Sequence, residues 1–419
     1  MPSISKNPLL SEDWTVVVLG FAILLITLAG FVLPVPTFGW ESTSDLFEKV
    51  LSLKNLQIIL IQLIAVVVIA IAGASLTGKE IKPFLIGLPV VYFLTIIALI
   101  IAGNSGVKSI NLEAVIFSLA IGLVIGNLVK LPNWLKSALS TEVFVKIGLV
   151  LLGTTIIFSD ILKAGSLGLI QALIVVISVW YFAFWVSKKL GIDEELSLII
   201  SSAVSICGVS AAIATAGAIK GDSKKLSYVI SLVLIVAVPM MIFQPYIAKW
   251  LGLSEEVTGA WLGGTIDTTG AVAAAGTLVG ETALKISTIV KFSQNVLLGV
   301  AAFAISVYWT YTNHPLAKDK DTKPTAGIIW ERFPKFVIGF LAASVLFSFF
   351  LTPETVNNVK GSLKNLQGLW FALAFTSIGL ETNFSDLFNA ENKKPLYAFL
   401  IAQIFNIFIT LAVSYFLFR

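Results

Sequence analysis

The sequence predicts an all-α polytopic membrane protein of about 13 transmembrane segments, with inverted repeats and two discontinuous helices. Three observations carry that expectation. The 419 residues are 57% hydrophobic and 12% charged, with a mean hydropathy of +0.95, whereas soluble domains carry roughly 25% charged residues. The apolar residues gather into runs close to the ~20 needed to cross a bilayer. Two of these runs are interrupted by polar and small residues, at 205–217 and 265–276. In lipid, irregular backbone survives only where it is buried in protein or lines a wet cavity.

The first run, 14–33, follows Lys6, Glu12 and Asp13. It is longer than a signal-peptide core of roughly 7–15 residues, so a retained first helix is expected. Runs at 58–74, 84–102, 112–128, 143–158 and 167–190 follow, most with charge only at their ends. Residues 196–219 contain the first break, 226–250 are continuous, 258–279 contain the second break, and 284–309 follow it. Runs at 336–350, 366–380 and 395–418 complete the series. The expected organisation is one transmembrane domain over 1–419, with N-terminal helices at 1–109, a first core half at 110–250 and a second at 251–419. The longest polar connector, 311–332, holds Lys318, Asp319, Lys320, Asp321 and Lys323 and reads as a hydrophilic loop. Loop lysines and arginines at 188, 189, 318, 320, 323, 332 and 335 place the N-terminal side in the cytoplasm of an inner membrane, against Lys220, Lys224 and Lys225 on the other side.

Composition also excludes. The net charge of +4 is spread over loops without a long basic block, so no nucleic-acid partner is expected. Cys207 is the only cysteine and His314 the only histidine, which rules out a disulfide framework, a Cys/His zinc cluster and a Cys–His catalytic pair. No paired-acid motif and no Walker motif is present, so neither an intramembrane enzyme nor an ATP-driven pump is expected, and no cofactor.

Two internal similarities bear on topology. Gly153, Phe158, Ser159 and Asp160 recur as Gly379, Phe384, Ser385 and Asp386, a constant shift of 226 residues. They close the fifth and twelfth segments, an odd separation that turns one copy over relative to the other, as in an inverted repeat. Ala216, Gly217, Gly221 and Asp222 align with Ala275, Gly276, Gly280 and Glu281 at a shift of 59, pairing the two broken segments.

The breaks carry the chemistry. In the first, Ser205, Cys207, Gly208, Val209 and Ser210 stand together. Gly208 lets the backbone leave helical geometry, and the serines offer hydroxyls without bulk. In the second, Thr265, Thr268, Thr269 and Gly270 play those parts. Each break creates a helix N-terminus with unpaired amides and about half a positive charge, so two of them meeting would hold a small anion. Unwound carbonyls would suit a cation, and close helix packing alone also explains small residues. Asp267 differs, because an acid in an apolar segment costs ~2.5–3.5 kcal/mol on insertion scales. With Thr268 it is the expected coupling-ion residue, for Na⁺ or H⁺. Lys291, with Gln294 and Asn295 on the next helix, either neutralises it, attracts the anion, or snorkels to the interface. Glu381, Asn383 and Lys146 read as interfacial.

The stretch from Cys207 through Gly221, the Trp261-Leu262-Gly263 run before the second break, and Thr288-Ile289-Val290-Lys291 resemble the YeiH-type family, which carries a sulfate-exporter label. More distantly, the first break and its following helix resemble bile acid:sodium symporters. That resemblance implies a core domain with crossed discontinuous helices, a separate panel domain, and a homodimer. The chain departs from the family pattern where Asp267 replaces a His, Ala271 a Gln and Gln294 an Arg. Those exchanges shift the balance toward cation coupling. The expectation is therefore a secondary transporter of a small anion (sulfate, sulfite, or an organic sulfonate or carboxylate) working by alternating access. The alternative is a cation/proton antiporter using Asp267.

Overall fold

The computed structural model describes residues 8–109, 114–311, 327–382 and 393–419. Among them the chain is all-helical, with 84% helix and no strands. The first helices are α1 (Glu12–Leu28), α2 (Leu53–Leu76), α3 (Lys82–Ala102), α4 (Ala114–Leu128) and α5 (Thr141–Leu152). There follow α6 (Phe158–Lys189), α7 (Glu194–Ser202), α8 (Val209–Ile219), α9 (Ser223–Trp250), α10 (Glu255–Thr265), α11 (Thr269–Val279) and α12 (Glu281–Tyr311). The series closes with α13 (Lys335–Val345), α14 (Pro353–Glu381) and α15 (Lys394–Phe418).

Six of these, α2, α3, α6, α9, α12 and α15, are long and apolar enough to cross a membrane, and shorter apolar helices accompany them. Their polarity is inverted relative to a soluble fold. On α2, Leu60, Ile64 and Val68 form an exposed apolar stripe at a spacing of four. On α15, Ile404, Phe408 and Phe416 are exposed while Gln403, Asn406, Thr410 and Ser414 are buried. Apolar outside and hydrogen-bonded polar inside is what lipid as solvent selects. This is a multi-pass membrane protein.

The helix limits differ from the apolar runs for local reasons. Helix α1 starts at a Ser11 cap and stops at Leu28, short of 33, because Gly30 turns to φ 95° and Pro34 and Pro36 follow. Helix α5 tightens into a 3₁₀ turn at Gly153–Thr155, where a Cβ on Gly153 would lie 2.4 Å from the Phe340 carbonyl. Helix α14 begins well before 366, at a Thr352 cap with Pro353 in the first turn. His314, the charged connector around Lys318–Lys323, and Asn383, Phe384, Ser385 and Asp386 of the second repeat copy lie outside the described residues.

The chain forms two compact units from interleaved stretches. One comprises Met1–Ser159 and Lys335–Asn383, the other Asp160–Pro334 and Phe384–Arg419. In the first unit, α4 and α14 pack backbone to backbone. A Cβ on Gly122 would stand 2.4 Å from the Thr376 carbonyl, and one on Gly379 would stand 2.4 Å from that of Leu119. Large side chains at these positions would push the helices apart. Trp370 and Phe375 of α14 and Phe144 of α5 are buried in the same unit, the Phe144 and Trp370 rings 5.7 Å apart. Lys146 lies in the same unit, bonded to Asp13 at 2.9 Å and near Glu12 and Glu142.

In the second unit, Val175 and Val179 of α6, Ile199 and Ile200 of α7, Leu232 and Val233 of α9 and Phe399 of α15 share one core. Gly259 and Gly263, four apart on α10, bring it onto α12, with Ser287 carbonyl 2.4 Å from a Cβ at Gly263. That contact sets the backbone of the second break beside the polar face of α12.

Candidate functional site

Helix α7 widens into a π turn over Ala203–Cys207 and ends at Gly208, whose φ of 58° and ψ of −109° fall where side chains are strained. The next helix, α8, starts at Val209 with no side-chain cap. Helix α10 ends at Thr265, Ile266 is extended, and Thr268 caps α11 by accepting from the Ala271 amide at 3.2 Å. The interruptions are therefore shorter than 205–217 and 265–276, since the small residues after Gly208 and Thr268 are good helix formers once capped or buried. The two interruptions touch. A Cβ on Gly208 would lie 3.1 Å from both the Cβ and the carbonyl oxygen of Asp267.

Interrupting a helix frees carbonyls, and each buried one needs a donor. In the π turn the Ala203 carbonyl accepts from the Gly208 amide at 2.9 Å. The Val204 carbonyl accepts from Asn406 Nδ2 at 3.1 Å, and the Ile206 carbonyl from Lys291 Nζ at 3.0 Å. At the end of α10, the Gly264 carbonyl accepts from Gln294 Nε2 at 2.9 Å, and the Thr265 carbonyl from Gln403 Nε2 at 2.9 Å and Asn406 Nδ2 at 3.4 Å. Lys291 Nζ also donates to Gln294 Oε1 at 2.7 Å. Thus Asn406 on α15 bonds to both breaks, and so does the Lys291–Gln294 pair on α12.

Oxygen is in surplus at this place. Asp267 is 2% exposed, and its Oδ2 has no hydrogen-bond partner among the described residues. The same holds for Asn295 Oδ1 and Gln403 Oε1, whose amide nitrogens bond to Thr269 and Thr265 of the second break. Asn295 Nδ2 approaches Thr269 Oγ1 at 3.3 Å, tying that amide to the first turn of α11. Lys291, whose charge opposes that of Asp267 although the two form no ion pair among the described residues, has spent two of its three N–H groups on Ile206 and Gln294. Unpartnered buried oxygens around a carboxylate are suited to a desolvated cation or a proton.

Ser205, Cys207, Gly208, Thr265, Asp267, Gly270, Lys291, Gln294 and Asn295 are all buried in this unit, with Val209, Thr268 and Thr269 partly so. Ser205 and Thr265 turn their hydroxyl protons back onto the carbonyls of Ser201 and Trp261, at 2.7 and 2.6 Å, leaving lone pairs. Ser210 is exposed on the first turn of α8. Gln403, Asn406 and Thr410 were not among the residues expected, although their spacing of three and four marks one polar helix face inside the run 395–418. Lys146 and Glu381 belong to the other unit.

Comparison with known proteins adds the lineage. The family described as "Conserved hypothetical protein 698" matches residues 86–398. The chain belongs to this family. It is the YeiH family, so the resemblance drawn from the break residues holds. A UPF0324 membrane protein of Rhodopirellula baltica is 41% identical over 356 residues, covering 82% of this chain and 65% of its own. Another, from Nitratidesulfovibrio vulgaris, is 40% identical, covering 83% and 61%. A UPF0324 membrane protein of Nitrosomonas europaea is 29% identical over nearly the whole of both chains, 93% and 92%. The chain thus spans a little under two thirds of the first two relatives. No solved structure matches.

Proposed function

We propose that this protein is a secondary active transporter of a small anion, such as sulfate, sulfite or an organic sulfonate or carboxylate, coupled to Na⁺ or H⁺ at Asp267. The observation that carries the reading is a buried Asp267 with an unpartnered carboxylate oxygen at the contact of two helix interruptions. Burying an acid in an apolar environment is costly unless a cation or proton is gained there. Two interruptions whose freed carbonyls are held by amides and an ammonium supply polar groups at membrane depth. The uncapped start of α8 adds amides for an anion, with Ser210 beside them. The chain crosses between two compact units after Ser159, after Pro334 and after Asn383, and a division into two bodies suits alternating access. The inner membrane and a homodimer complete the reading.

A thermal-shift screen of the purified protein tests it, with sulfate, sulfite, taurine and dicarboxylates, in Na⁺ or K⁺, at several pH values. A ligand that binds the folded state raises the melting temperature by mass action. An anion-dependent shift that needs Na⁺ or protons and is lost in Asp267→Asn supports coupled anion transport. A shift produced by Na⁺ alone and indifferent to every anion overturns it in favour of cation/proton antiport.

A further inference from the structure

A second polar feature lies in the other unit and has no part in the Asp267 network. A cavity of about 240 Å³ is lined by Gly126, Val129, Lys130, Leu131, Lys136, Leu139, Leu380 and Glu381. It is smaller than the ~300–1,000 Å³ of drug-sized ligand sites. Its lining comes from the ends of both α4 and α14 and the segment that follows α4. Its charges are mixed, with two ammonium groups and one carboxylate. Neither Lys130 nor Lys136 has an ion-pair partner among the described residues, and Glu381 Oε2 accepts a single hydrogen bond, from Thr141 Oγ1 at 2.9 Å. A carboxylate has about four acceptor positions, so this one retains capacity.

The rim says what kind of molecule brings such charges. Leu128 and Val129 are 79% and 56% exposed beside the cavity, and Trp134 stands exposed between the two lysines in sequence. An exposed tryptophan and lysines at the end of apolar helices mark the bilayer interface. A molecule presenting one phosphate and one primary ammonium on apolar chains matches this pattern. Such a molecule would bring its phosphate to Lys130 and Lys136, its ammonium to Glu381 and its chains to Leu128 and Val129.

We propose that this cavity binds the head group of an amino phospholipid, phosphatidylethanolamine in chemical class. Charge complementarity selects it over the alternatives. A phosphatidylglycerol head satisfies the lysines but leaves Glu381 without a cation, and a choline head offers no N–H donor to the carboxylate.

Native mass spectrometry of the full chain tests this, after exchange into micelles doped equally with phosphatidylethanolamine, phosphatidylcholine and phosphatidylglycerol. The expected result is retention of phosphatidylethanolamine over each of the others by roughly five- to tenfold, the worth of one charge-assisted hydrogen bond discounted for solvent. Glu381→Gln should level phosphatidylethanolamine with phosphatidylcholine, and Lys130→Gln with Lys136→Gln should weaken all three. Should Glu381→Gln fail to fold, mono-, di- and trimethylated head groups on the unaltered protein decide the matter, with loss expected when the last N–H disappears. Equal retention of choline and ethanolamine lipids, stronger retention of phosphatidylglycerol, or no effect of the glutamate exchange overturns the proposal.

Discussion

Exchanging Lys291 for Met removes three things at once: the donor to the Ile206 carbonyl at 3.0 Å, the donor to Gln294 Oε1 at 2.7 Å, and the charge opposing Asp267. Each orphaned buried acceptor costs roughly 1–3 kcal/mol. Gln294 cannot turn its amide to compensate without losing its bond to the Gly264 carbonyl at 2.9 Å. Losing the opposing charge also raises the cost of burying the Asp267 carboxylate, less whatever it recovers by taking a proton. Asp267→Asn abolishes that last contribution but not the first two. The double variant should therefore be more stable than the sum of the single effects by at least about 1 kcal/mol, within the range of contacting groups. The assay is equilibrium unfolding of the four proteins in mixed micelles under one set of conditions. Additivity to within about 0.5 kcal/mol would refute the reasoning, because Lys291 would then serve only as a carbonyl clamp and its charge would not sense Asp267.

Three further outcomes are expected. Gly208→Ala places a Cβ 2.6 Å from Val233 Cγ1 on a backbone at φ 58°, and should cost roughly 2–4 kcal/mol from strain and overpacking together, read as a lower melting temperature; an unchanged melting temperature would contradict the described turn. Asn406→Leu leaves the Val204 carbonyl without its donor while Thr265 keeps Gln403, so a loss of about 1–3 kcal/mol is expected, with faster amide exchange at the π turn; exchange unchanged there would contradict it. At the loop before α7, burial pushes the Asp193 carboxyl up, but its bonds to Lys225 and to the Leu196 amide outweigh this and hold it below the ordinary range. Its contribution is thus fully present above the ordinary carboxylate value of about 3.9 and fades as pH falls through the lowered one. The melting-temperature gap between the unaltered protein and Lys225→Gln should accordingly be steady near neutrality and close in acid; a gap that widens below about pH 4 would refute the sign.

Much of the candidate site was legible along the chain, for physical reasons. Asp267 and Lys291 stand out because ionisable groups in apolar runs are expensive and so rare. Gly208 and the Thr265–Gly270 stretch stand out because residues that leave helical geometry leave a local mark in sequence. The limits of the breaks were harder to read. Val209–Ile219 and Thr269–Val279 are helical although rich in Gly, Ser and Thr, because their many alanines favour the helix and burial outweighs the weaker formers among them. Gln403 and Asn406 were visible as a polar face, yet nothing near them in sequence names their partners.

The sequence by itself determined the solvent and the helical class, since apolar content and run length answer to lipid without reference to any distant residue. It also marked Gly208 and Asp267, about which helices stop and restart, without marking the limits of either break. Only the tertiary structure decided what the interruptions do. Asn406 reaches the Val204 carbonyl across 202 residues, Gln403 reaches that of Thr265 across 138, and Lys291 reaches that of Ile206 across 85. A freed carbonyl demands some donor, but which one arrives depends on how helices cross, and the close approaches at Gly208 and Gly263 set that crossing.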